Sequence, residues 1–179
     1  MRLSLLVVAG CATPLPPQRC PTSAPAAASA PAVVAVNTAT ARINQVLDDW
    51  HRAAANANEK TYFEHMTSDA IFLGTDATER WDKAAFRAFA HPHFARGKAW
   101  SFTPTRRAVI LSEQGTVAWF DEDLATPNLG PARGSGVLLK QQGVWRIAHY
   151  NLTLTIPNAS LDAVKKVLAP KSPPASAVQ

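Results

Sequence analysis

Between residues 39 and 57 the apolar positions fall on one helical stripe. Ile43, Val46, Leu47, Trp50 and Ala54 recur at helical spacing, which predicts a helix with one buried face. Thr38 or Thr40 suits its cap, and Asn58 caps a short second helix carrying Tyr62, Phe63 and Met66. Residues 70–73 read as a brief strand ended by the turn Gly74-Thr75-Asp76. Asp82 then caps a third helix with Phe86, Phe89 and Phe94 inward, and Pro92 is expected to kink or stop it. From residue 100 the period changes to two. Residues 100–111, 117–124, 133–140 and 144–155 read as four strands. Gln114-Gly115 and Gln141-Gln142-Gly143 are tight turns, whereas the link over 125–132 is longer and holds two prolines. Short links predict an antiparallel meander. Asn158 or Ser160 starts a last short helix with Leu161, Val164 and Leu168. Helices first and one-sided strands after them make an α+β domain, its sheet covered by helices on one face.

Composition narrows the class. The chain has 179 residues, 47% hydrophobic and 17% charged, enough for a real core. Most of its 14 prolines sit at the two ends, so the folded part is about 120 residues, one ordinary domain. The net charge of +5 comes from scattered Lys and Arg with no run beyond Arg106-Arg107 or Lys165-Lys166. Without a basic stripe or a reader motif, nucleic-acid binding is not expected. No stretch reaches the about 20 apolar residues of a spanning helix. Both cysteines, Cys11 and Cys20, precede the domain, so no disulfide or thiolate metal site is expected within it.

The N-terminus reads as an address. Met1-Arg2 is followed by an apolar run over 3–8, and Val8-Ala9-Gly10-Cys11 resembles a bacterial lipobox. The expectation is export to the periplasm or the membrane, with lipidation at Cys11 as the only membrane attachment. The segment is shorter than the about 15 to 30 residues of a usual signal, which a start further upstream would explain. Other export routes and a cytoplasmic protein with a chance apolar start stay open. Residues 12–37 are rich in Pro, Ala, Ser and Thr and read as a disordered spacer. Residues 169–179 have the same character. The domain is placed at 38–157, with 158–179 as short helix and tail.

The order of elements resembles a known superfamily. Helix, short helix, Asp69-Ala70-Ile71-Phe72, a turn, a third helix and a long meander are similar to the SnoaL-like, nuclear-transport-factor-2-like superfamily. Trp145-Arg146-Ile147-Ala148-His149-Tyr150 is similar to its final strand. Gly74-Thr75-Asp76, Glu79-Arg80-Trp81, Ala118-Trp119-Phe120-Asp121-Glu122, Arg133-Gly134-Ser135-Gly136-Val137 and Tyr150-Asn151-Leu152 resemble one SnoaL-like branch of unassigned function. The resemblance implies a cone-shaped, curved antiparallel sheet wrapped around three N-terminal helices, the cystatin-like α+β barrel. It also implies a pocket, no cofactor, and often a homodimer through the outer sheet face. It does not imply one activity, because the fold hosts isomerases, cyclases, hydrolases, dehydratases and binding modules. The three groups of a ketosteroid isomerase fall by register on Trp50, near Gly74 and near Ser135 or Gly136. None of these matches, so that activity is not carried over.

Symmetric turns set Arg106 opposite Glu122, Glu122 opposite Ser135, Ser135 opposite His149 and Leu139 opposite Trp145, a register that a one-residue slip would invert. One face then gathers Phe102, Phe120, Val137 and Ile147 with Arg106, Glu122, Arg133, Ser135, His149 and Asn151. The other carries Trp119, Asp121, Lys140, Arg146, Tyr150 and Leu152. The sharp reading makes Glu122, His149 and Arg106 an acid–base group: the carboxylate orients the imidazole, and the arginine stabilises charge. The plainer reading is an ion pair and a space-filling histidine. Trp50, Tyr62, Asp76, Trp81, Phe120, Arg133, Ser135 and Asn151 are the candidate ligand contacts, although Asp76 also suits a turn cap and the aromatics also suit the core. His91-Pro92-His93 lacks a third ligand, so no metal is expected. Gly134-Ser135-Gly136 is not a nucleophile elbow. Three functions remain: a pocket for a small, largely apolar ligand, a cofactor-free acid–base enzyme of isomerase, cyclase or hydrolase type, or an envelope interaction domain with a filled cavity.

Overall fold

The computed structural model describes residues 30–169, with side chains from Val36 onward. Helix α1 spans Ala30–Ala55 and α2 spans Glu59–Glu64. Strands β1 (Met66–Leu73) and β2 (Arg80–Asp82) precede α3 (Lys83–Ala95). Then come β3 (Thr103–Leu111), β4 (Val117–Ala125), β5 (Ala132–Gln141) and β6 (Val144–Leu154). A 3-10 turn at Asn158–Ser160 leads into α4 (Leu161–Leu168).

Local chemistry explains the boundaries. The Asn58 side chain accepts the Thr61 amide at 3.1 Å and the Asp82 side chain the Ala85 amide at 2.8 Å, capping α2 and α3. Pro92 lies inside α3, which continues to Ala95; in the last turn it removes one hydrogen bond without stopping the chain. Helix α1 starts at Ala30 rather than near Ala39, so residues 30–37 of the expected spacer form its first turns. The alanines there are strong helix formers, and Pro31 sits in the first turn, where no intrahelical partner for its nitrogen is lost. The apolar start with Cys11, the rest of the spacer and the tail after residue 169 lie outside the described residues.

The strand order is β2-β1-β6-β5-β4-β3. Neighbours run antiparallel except β1 and β6, which are parallel. Strand β2, which two-residue alternation does not reveal at this length, pairs Arg80, Trp81 and Asp82 with Leu73, Phe72 and Ile71. The β5–β6 hairpin closes through Gln142 and Gly143 at φ 52° and 83°, the pair of positive values a two-residue turn needs.

The register differs from the symmetric one by single residues, and that changes the faces. Pro104 pairs with Leu124 and Arg106 with Asp123, so Thr105 is an extra residue and Arg107, not Arg106, lies opposite Glu122. Glu122 faces Gly134, and Ser135 faces Asn151. In β6, Ile147 pairs with Leu138 and His149 with Val137, leaving Ala148 as a bulge. Trp145 and Ile147 are therefore buried as expected, but beyond the bulge it is Tyr150 and Leu152 that turn inward. Ala118, Phe120, Glu122 and Leu124 of β4 and Leu138 of β5 share this inner face and are buried. Against it pack Ile43, Leu47, Trp50 and Ala54 of α1, Tyr62 and Phe63 of α2, and Phe86 and Phe94 of α3. Phe89, expected inward with them, is 44% exposed.

Candidate functional site

A charged cluster sits in the core. Glu122 is fully buried and accepts three hydrogen bonds. His51 Nε2 donates to Oε1 at 2.7 Å, the Tyr150 hydroxyl to Oε1 at 3.1 Å and Arg107 Nε to Oε2 at 2.8 Å. Arg107 also reaches α1, donating to Asp48 at 2.8 Å and to the Asn44 carbonyl at 3.3 Å. Burial pushes the Glu122 carboxyl up, but the bond from His51 and the Arg107 guanidinium outweigh it and hold the group below its ordinary 4.5. Burial and the Glu122 charge push the Tyr150 hydroxyl well above its ordinary 10.0, so it stays a donor. Space for this cluster comes from β5. A Cβ on Gly134 would lie 2.2 Å from the Tyr150 oxygen and 2.9 Å from Glu122 Oε1. A Cβ on Gly136 would lie 2.2 Å from the His149 carbonyl oxygen, so neither position tolerates a side chain without a shift.

Beside the cluster lies a cavity of about 320 Å³. It is bounded by the β1–β2 turn, α3, residues 99–102 and the 126–129 loop, and its wall is dominated by Phe72, Trp81, Phe86, Phe89, Trp100 and Phe102. Cavity and cluster touch through shared neighbours. Phe72 stacks on Tyr150 at 5.5 Å, Phe102 stands 6.2 Å from the His51 ring, and Leu152 is paired with Gly134. None of His51, Arg107, Glu122 and Tyr150 lines the cavity itself. Behind its wall the Tyr62 hydroxyl and the Trp50 indole nitrogen are buried without a hydrogen-bond partner among the described residues. Burial pushes the Tyr62 hydroxyl well above 10.0, with the adjacent Trp100 opposing in part.

The model of the SnoaL-like domain matches residues 43–157. The chain belongs to the SnoaL-like family. No curated protein matches the sequence. Solved structures with the same fold include a protein of unknown function from Mycobacterium tuberculosis, 21% identical, with TM-score 0.61 over 78% of this chain and 85% of that one. A nuclear-transport-factor-2-like protein of unknown function from Pseudomonas putida is 14% identical, with TM-score 0.57 over 69% and 92%. A candidate scytalone dehydratase from Novosphingobium aromaticivorans is 10% identical, with TM-score 0.58 over 69% and 89%.

Within this SnoaL-like domain the residues singled out from the sequence separate into three places. Glu122 is inside, as expected, but His149 and Arg106 are on the other face. Arg106 pairs there with Asp121 and, at 2.8 Å, with Asp123; its hydrogen bonds to Asp123 and Asp121, and then their charges, raise its pKa, and Arg133 joins Asp123 at 3.4 Å. Ser135 and Asn151 pair with each other on that outer face. The acid–base pairing of Glu122 with His149 is thus corrected by the Ala148 bulge, and that with Arg106 by the extra Thr105. Trp50, Tyr62 and Phe120 are core residues next to the cluster, and Trp81 lines the cavity. Asp76 accepts the Thr78 amide at 2.8 Å and closes its own turn. The outer face loses Tyr150 and Leu152 to the core and keeps Trp119 beside Ile110, 45% and 50% exposed. Three members of the cluster were missed, Tyr150 because the straight register set it on the outer face. His51 lies four residues after Leu47, on the stripe that also holds Trp50 and Ala54, and a histidine at that spacing is a buried one. Arg107 is the sequence neighbour of Arg106, which a register without the extra Thr105 sets opposite Glu122.

Proposed function

We propose that this SnoaL-like domain binds a small, largely apolar organic molecule in the cavity walled by Phe72, Trp81, Phe86, Phe89, Trp100 and Phe102. The observation that carries the reading is the combination of about 320 Å³ of space with an aromatic wall and few polar groups, the signature of a small-molecule site. Binding is favoured over turnover because the best acid–base pair, His51 and Glu122, is sealed behind Phe102 and Tyr150 and meets no cavity surface. The dehydratase name of one structural neighbour belongs to that protein; at 10% identity the likeness concerns the fold. Export and a lipid anchor at Cys11 belong to the same proposal, supported by the order of positive start, apolar run and Val8-Ala9-Gly10-Cys11.

Leu129 lines the cavity from the 126–130 loop and is 39% exposed, so Leu129→Trp fills the space from the rim without disturbing the core. Thermal unfolding with indole as probe is the test. Indole raises the melting temperature of the wild-type protein in a concentration-dependent way, and the shift is lost in Leu129→Trp while the unliganded protein still unfolds cooperatively. No shift in the wild type, or an equal shift in the variant, contradicts the proposal.

A further inference from the structure

Among the described residues, Glu79 is the only carboxylate on the cavity lining, and no Lys or Arg joins it there, although the chain carries 18 of them. Its position is built rather than incidental. The backbone closes the β1–β2 turn with Gly74 N–H donating to the Glu79 carbonyl at 2.9 Å. The carboxylate folds back over Gly74, where a Cβ would lie 2.0 Å from Oε2, and Oε2 accepts the Asp76 amide at 3.1 Å. Oε1 has no partner among the described residues. The histidine on the wall, His93, lies with Nδ1 2.8 Å from the Arg96 guanidinium.

We infer that the cavity selects an organic cation, an ammonium or quaternary ammonium group on an apolar body, held between the aromatic wall and the Glu79 carboxylate. The inference rests on the reading of the cavity as a ligand site and names its substrate class. A cation gains from ring faces, and Trp81 and Trp100 are both partly exposed on this wall. An anion meets Glu79 with no Lys or Arg on the lining to offset it, and a neutral apolar molecule covers Oε1 without replacing its contact with water, a desolvation cost.

Three probes of similar shape and different charge decide it: phenyltrimethylammonium, tert-butylbenzene and benzenesulfonate, titrated against tryptophan emission in the wild type and in Glu79→Gln. The side-chain amide of that variant keeps an oxygen acceptor for the Asp76 N–H, so the turn is preserved. Phenyltrimethylammonium binds at least as tightly as tert-butylbenzene despite its stronger hydration, and benzenesulfonate binds at least about tenfold more weakly than the cation. Glu79→Gln weakens the cation about fivefold and leaves tert-butylbenzene unchanged. Tert-butylbenzene binding with the cation excluded, or a Glu79→Gln effect equal for all three probes, overturns the cation selectivity and leaves the cavity reading intact. Failure of all three to bind overturns both.

Discussion

Glu122 shows how a carboxylate survives in a core. An isolated buried charge is prohibitively costly, but this one has three donors, from His51, Tyr150 and Arg107. Removing its charge leaves Arg107, whose side chain is 8% exposed, without its inner partner. Glu122→Gln is therefore expected to lower the unfolding free energy by about 3 kcal/mol, measured by urea denaturation at neutral pH. The sign of the pH dependence follows from the lowered pKa. The folded protein holds this carboxyl below its ordinary 4.5, so its contribution is complete above that value and is lost as pH falls below it. The wild type loses that advantage over Glu122→Gln in acid, and the two stability curves converge; parallel curves contradict the ionised, paired state. At this scale the sequence marked Glu122 as inward and named the wrong partners for it, while His51 was legible from its place on the α1 stripe.

Strands fix which arginine matters. Alternation alone cannot show where a ladder gains a residue, and the two irregularities within the meander, Thr105 in β3 and Ala148 in β6, are single insertions that invert every side chain beyond them. The inward set of β6 is consequently Trp145 and Ile147 before the bulge and Tyr150 and Leu152 after it. Arg106 and Arg107, adjacent in sequence, test this register. Arg107→Ala breaks the link from Glu122 through to Asp48 on α1 and is expected to cost about 2 to 3 kcal/mol, read as a lower urea midpoint. Arg106→Ala removes only solvent-exposed pairs with Asp121 and Asp123 and is expected to leave the midpoint unchanged. Equal effects, or the reverse order, contradict the observed pairing. The glycines at 134 and 136 belong to the same logic: they flank an outward Ser135, Gly134 clearing room for the Tyr150 hydroxyl and Gly136 for the His149 carbonyl and the Phe120 ring, reasons that become visible only once the bulge has turned Tyr150 inward.

The whole molecule was the most legible level. Helical spacing in α1, the Asn58 and Asp82 caps and the change of period after residue 100 are local signals that agree with one another, and consistent local signals specify an architecture. The cavity was not legible in the same way. Of its wall, Trp81 alone was singled out, because the other aromatics come from a strand, a helix and a connecting segment whose meeting depends on packing rather than on spacing. Tryptophan placement makes the central claim measurable. Among the 5 tryptophans of the chain, Trp81 and Trp100 line the cavity, Trp119 stands on the outer face, and Trp50 and Trp145 are buried. In a titration of indole followed by the tryptophan side-chain N–H resonances, Trp81 and Trp100 are expected to shift together and saturate while Trp119 stays in place. Saturable movement of Trp119 with Trp81 and Trp100 fixed, or no movement at any position, would contradict a ligand site inside the aromatic cavity.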